Sequence, residues 1–247
     1  MEYFTEIPGN LRNVWDDVWQ ILQPDNSWKD DHSKCRAIKE KLVYFSLNHS
    51  DTPEHIDKVI KALCRGVSLT QAAVNWKNPA AIGNDNNTSS PSPHEKLRGI
   101  QWRLVIAYAG FEITAKGLMN HFHRNTKLEI IQDFIYKCNL PSYQKLEAPT
   151  PKEKSNLEKW LSKEDEAIAD FLGVTSGDRK IINQWLVNSE AICDWEKAVK
   201  LAKALRNATA HGFLQPTKVG QWKLKNSFIT LADNLAEIMT SGLRKLL

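Results

Sequence analysis

The segment Trp195-Glu196-Lys197-Ala198-Val199-Lys200-Leu201-Ala202-Lys203-Ala204-Leu205-Arg206-Asn207-Ala208-Thr209-Ala210-His211-Gly212 has a helical pattern throughout. At about 100° per residue, a wheel with Trp195 at zero puts Ala198, Val199, Ala202, Leu205 and Thr209 within about 80° of it. Gly212 and Pro216 supply stop signals, so a helix is predicted from Ile192 to about His211. Arg206 falls near 20° on the same wheel, in the middle of the stripe predicted to be buried. A guanidinium keeps its charge, and burying it is costly unless it is paired or meets an anion. Two arrangements are open: an ion pair with a carboxylate on a neighbouring helix, or a cation held ready for an anionic ligand. Glu112, beside the inner stripe of another predicted helix, is the first candidate for that carboxylate.

The same periodicity extends through the chain and predicts an all-α fold. Leu11, Val14, Trp15, Val18, Trp19 and Leu22 mark one helix, and Ala37, Ile38, Leu42, Phe45 and Leu47 a second over Ser33 to Asn48. Thr52 as N-cap and Pro53 at the first helical position open a third, predicted to run to about Cys64 and end at Gly66. Residues 79–94 are rich in Asn, Ser and Pro and read as a loop or linker. Beyond them lie predicted helices over Glu95 to His123, Leu128 to Cys138, Pro151 to Leu172, Ile181 to Asn188 and Ser227 to Leu247. A short hairpin is conceivable only around Gly220. The expected organisation is an N-terminal helical layer (1–78), a linker (79–94) and an antiparallel helical bundle (95–247).

Composition narrows the class. The 247 residues are 42% hydrophobic and 25% charged, ordinary values for a globular protein with a sizeable core. No run approaches 18 uninterrupted apolar residues, so no membrane partner is expected. The first residues lack the basic and apolar regions of a secretory signal. Cys35, Cys64, Cys138 and Cys193 are scattered and read as free thiols in a cytoplasmic setting, supporting neither zinc nor disulfides. Of the nine tryptophans, Trp15, Trp19, Trp160 and Trp195 sit on apolar stripes and are expected in the core. His121 and His123, two residues apart on a helix, point in different directions and do not form a metal pair. Gly173 to Lys180 lacks Walker A spacing. Thus neither metal nor cofactor is expected. A net charge of +4 permits a nucleic-acid partner without requiring one.

Asn207 follows Arg206 directly and is a poor helix former unless its amide has a task. His211, five residues after Arg206, is the residue type suited to proton transfer near neutral pH. Arg206, Asn207 and His211 together resemble the Arg-Asn-x-x-x-His motif of the HEPN superfamily. Members of that family are helical and carry the motif near the end of the penultimate long helix. The resemblance covers roughly Glu95 to Leu247. It implies a metal-independent ribonuclease in which two protomers bring Arg and His to a shared cleft. It would make His211 the proton-transfer group and Arg206 the cation for the phosphorane. Asn207 would orient the histidine or bond the phosphate. In a regular helix His211 lies about 140° around the axis from Arg206. Either the helix unwinds between Ala210 and Gly212, or the groups meet across a two-fold axis. Phe213 stands where some toxins of the family carry a modifiable tyrosine, so that form of control is not expected here.

The resulting expectation is an endoribonuclease of toxin–antitoxin or antiviral-defence type. Its partners would be RNA, a second copy of the chain, and an antitoxin or defence-system protein. The competing readings are a non-catalytic HEPN-like scaffold binding nucleic acid, nucleotide or protein, and a helical interaction protein whose motif is accidental.

Overall fold

A computed structural model describes residues 7–22, 29, 31–75, 92–122, 128–150 and 175–247, and these form an all-α protein. In chain order the helices are α1 (Ile7–Leu22), α2 (His32–Leu42), α3 (Pro53–Asn75), α4 (Pro93–Leu118), α5 (Leu128–Lys137), α6 (Ser176–Ile182), α7 (Trp195–Ala210), α8 (Pro216–Gln221) and α9 (Lys225–Arg244). A single π-helical turn, Asn183–Val187, extends α6. The helix predicted over Pro151 to Leu172 lies outside the described residues. No described helix is long and apolar enough to cross a membrane.

The chain divides into two compact units that do not follow the expected 1–78, 79–94 and 95–247 order. One comprises residues 1–75, 109–141 and 235–247; the other comprises 76–108 and 142–234. Helices α1 to α3 belong to the same unit as α5 and parts of α4 and α9. Leu11, Val14, Val18 and Leu22 give α1 a buried stripe, and α1 and α2 both pack on α3. Phe45, Phe111 and Phe134 meet in the same core, each pair tied by ring centroids 5.9 Å apart at Phe134.

Gly66 does not end α3, as its sequence position suggested; the helix continues nine residues beyond it to Asn75. The glycine serves a crossing instead. A Cβ on Gly66 would stand 2.7 Å from the Gly110 carbonyl oxygen, and one on Gly110 would stand 2.5 Å from the Gly66 carbonyl oxygen. Two helices can approach this closely only with hydrogen at both positions, and here tertiary contact outweighs a modest helix-propensity penalty.

The second predicted helix ends at Leu42 instead of Asn48, and the chain then turns through Val43 to Phe45. Around Gly220 there is helix α8, begun by Pro216 at its first position, and no hairpin. Ile192 precedes the motif helix and pairs with Leu146 in an isolated antiparallel bridge. Trp15, Trp19 and Trp195 are only half-buried, whereas Trp185 and Trp222 are core residues at 0% and 2% exposure. Trp160 is outside the described residues.

Candidate functional site

The motif lies entirely in the unit formed by 76–108 and 142–234. Helix α7 starts cleanly: the Asp194 side chain accepts from the Lys197 backbone N–H at 2.7 Å, satisfying one of the orphan donors of the first turn. Its buried side runs through Ala198, Leu201, Ala202, Ala204, Leu205 and Ala208, all at 0–1% exposure. Val199 and Asn207 are buried as well, so the stripe expected from the wheel (Ala198, Val199, Ala202 and Leu205) is buried and the cover extends beyond it around most of the helix. Arg206 lies between Val199 and Ala202 on the wheel and is half-buried, at an edge of that cover.

At this edge Arg206 is held from two sides. One terminal nitrogen, Nη1, donates to Asn207 Oδ1 at 2.8 Å. The guanidinium carbon lies 5.5 Å from the ring centroid of Tyr108 on α4, a cation–π contact. The Nε–H is buried and has no hydrogen-bond acceptor among the described residues. No carboxylate lies within 4.0 Å of Arg206 among the described residues. The ion pair considered from sequence is thus not made with any described carboxylate. Glu112, its candidate partner, belongs to the other unit and pairs with Lys116 one turn along α4 at 3.3 Å.

Asn207 is 6% exposed although it points away from the main buried side, because α6 packs against α7 and covers it. Its Nδ2 donates to Asp178 Oδ2 at 3.0 Å. That carboxylate, itself 5% exposed, also accepts from Thr175 N at 3.2 Å, while Thr175 Oγ1 accepts from Asp178 N at 3.2 Å. This reciprocal capping box starts α6. A chain of contacts therefore runs from the first turn of α6 through Asp178 and Asn207 to the Arg206 fork. Asn207 orients the arginine; both ends of its amide are engaged in that task.

His211 is exposed and forms the C-cap of α7, with its backbone N–H reaching Asn207 and Thr209 carbonyls. The helix unwinds here, one of the two possibilities the spacing allowed. Gly212 takes φ +75°, where an L side chain would be strained. Its N–H bonds the Thr209 carbonyl at 3.0 Å, and the Leu214 N–H bonds the Ala208 carbonyl at 2.7 Å. Helix α4 fixes this end as well. Gln101 Nε2 donates to the Leu214 carbonyl at 2.7 Å and to Thr209 Oγ1 at 3.3 Å. Gln101, Leu104 and Tyr108 share one face of α4 by helical spacing. Below them Arg103 and Asp233 form a buried ion pair at 2.5 Å, with burial pushing the Asp233 carboxyl above its ordinary value.

The structure thus brings Arg206 and Asn207 together and sets His211 one turn further on, exposed at the helix end. It adds Asp178 and Tyr108, which sequence reasoning missed. Asp178 had a local signal, since Thr175-Ser176-Gly177-Asp178 has capping-box spacing. Tyr108 had none. Among the described residues no group of three His, Cys, Asp or Glu side chains is placed to hold a metal ion. Chemically, the site offers a positioned planar cation, with a solvent-accessible imidazole at the end of the same helix. No family model, no curated protein and no solved structure matches this chain.

Proposed function

We propose that this chain is a metal-independent endoribonuclease of the HEPN kind, acting in toxin–antitoxin or antiviral defence, with Arg206 and His211 as its catalytic residues. The observation that carries the proposal is the state of Arg206. Its fork is positioned by Asn207 and Asp178, backed by Tyr108 and, among the described residues, unpaired with any carboxylate. A cation prepared at such expense to its own hydration is suited to an anion that arrives from solution, and a phosphodiester matches its planar donors. His211, exposed at the same helix end, would take the proton from the ribose 2′-hydroxyl or give one to the departing 5′-oxygen. Attack by the 2′-oxygen forms a 2′,3′-cyclic phosphate and breaks the bond to the 5′-oxygen, which leaves as a hydroxyl. Arg206 would stabilise the charge that builds on the phosphorane oxygens.

An isologous dimer would bring two copies of the motif-helix end to one cleft and complete the site. The test is incubation of purified protein with single-stranded RNA and with DNA of the same sequence, both in EDTA. RNA ends carrying cyclic phosphate, with DNA intact, are expected. Strict dependence on a divalent ion, or DNA cleavage at a similar rate, refutes the mechanism. The non-catalytic alternative draws on the burial of Asn207, which gives that residue a structural role; phosphate-dependent RNA binding without turnover would establish it.

A further inference from the structure

The unit without the motif carries an exposed surface built from aromatic rings and ammonium groups. Tyr44, just beyond α2, is 46% exposed, and Tyr136, in the last turn of α5, is 87% exposed. The Tyr44 hydroxyl donates to the Lys137 carbonyl at 2.8 Å, and Lys137 Nζ donates back to the Tyr44 carbonyl at 3.2 Å. The ammonium groups of Lys137 and Lys245 stand 5.9 and 5.8 Å from the Tyr44 ring centroid. Lys41, one turn before Tyr44, donates to the Leu247 main-chain oxygen at 3.2 Å. Neither Lys137 nor Lys245 pairs with an Asp or Glu side chain within 4.0 Å among the described residues.

Ordinary surface lysines are mobile and interspersed with acids. Lys137 and Lys245 are held at a main-chain oxygen or a tyrosine ring and make no ion pair with Asp or Glu among the described residues. Both border the segment that presents Tyr136, whose neighbours Phe134, Ile135 and Cys138 are buried while its own ring meets solvent. Fixed ammonium groups beside an open aromatic face match a polyanion whose bases can stack: phosphates on the lysines, a base on Tyr136. An anionic membrane fits less well, because the surface exposes only two large aliphatic side chains among the described residues, Leu47 and Leu247, too few to insert into a bilayer. We propose that the Tyr44–Tyr136–Lys137–Lys245 surface binds single-stranded RNA outside the Arg206 site. The choice of RNA over DNA rests on the proposed nuclease function; the geometry of the surface does not.

The test uses the full chain and a fluorescent 2′-O-methyl RNA of about 12 nucleotides, a length covered by typical single-strand sites. Methylation removes the attacking hydroxyl, so binding is read without cleavage. Fluorescence anisotropy should show Tyr136→Ala weakening binding by about five- to a hundredfold, the range for losing one stacked base, while Tyr136→Trp retains it. The double change Lys137→Gln and Lys245→Gln should lower the slope of log affinity against log salt by about 1.4, at about 0.7 per phosphate contact. Circular dichroism melting confirms that each variant is folded. Unchanged affinity and slope in folded variants, equal loss in Tyr136→Trp, or no binding by the unaltered protein would overturn the proposal. So would variants that lose only their binding to phosphatidylserine vesicles. Cleavage of unmethylated RNA by Arg206→Ala and His211→Ala is scored separately, so failure of the surface and failure of the nuclease remain distinct.

Discussion

Replacing Arg206 with Ala should separate chemistry from folding, and the structure gives the size of each term. The variant loses the hydrogen bond from Nη1 to Asn207, about 1 kcal/mol for a partly exposed pair. It also loses the contact with Tyr108, about 0.5–1 kcal/mol. Against these, it removes a buried Nε–H that has no acceptor among the described residues, whose desolvation costs about 1–3 kcal/mol. The terms offset to within about 1 kcal/mol in either direction, which for a domain of this size moves Tm by no more than about 4 °C. Cleavage should behave differently, falling by about 10²–10³ when the cation facing the phosphorane is gone. Arg206→Lys should not restore it, since an ammonium lacks the planar fork. The assays are thermal melting by circular dichroism and cleavage of labelled single-stranded RNA in EDTA. A fall in Tm beyond about 10 °C for Arg206→Ala would mean that the residue belongs to the structural network, and the functional argument would fail with it.

Asn207→Ala should show the opposite balance: it removes a charge-assisted bond to a buried carboxylate, about 1.5–3 kcal/mol, against a gain of about 0.6 kcal/mol in helix propensity, so Tm should drop by about 2–10 °C. Asp178→Asn, which can still accept from Thr175 and Asn207, should lose less stability than Asp178→Ala in the same melting assay. His211→Ala should cut cleavage by about 10²–10⁴ with no change in Tm, because the ring is exposed. Gly66→Ala should destabilise by about 3 kcal/mol or more, measured by urea unfolding, since its Cβ would press on the Gly110 backbone at 2.7 Å. Burial holds His49 and His55 below the ordinary histidine value of 6.5. His49 Nε2–H donates to the Leu118 carbonyl at 2.7 Å, leaving Nδ1 to accept from His55 at 2.9 Å. The unfolded chain therefore binds protons first, so stability is complete above pH 6.5 and falls as pH drops through that value towards the lowered folded-state values. Urea midpoints at neutral and mildly acid pH should show this loss, and His49→Gln should reduce it.

By itself, the sequence determined that the protein is helical and where the motif helix would end. Periodicity of apolar residues is a local property, and Gly212 with Pro216 forms a local stop signal, so both survive whatever the helix packs against. The same pattern marked Arg206 as unusual and brought Asn207 and His211 into view. Tertiary structure decided how far round α7 is buried, because Ala204, Asn207 and Ala208 lie off the apolar stripe and are covered by neighbours that the local pattern does not reveal. It decided that Gly66 crosses another helix instead of ending its own, since a glycine has the same local signal in either role. It decided the partners of the motif as well. Asp178 lies 29 residues before Asn207, and Tyr108 is farther still from Arg206, so only the packing of α4, α6 and α7 brings them to one site. The division into two interleaved units, with residues 109–141 and 235–247 joining the N-terminal helices, has the same origin. Contacts between segments distant in sequence are chosen by the burial they jointly achieve, and no single segment encodes them.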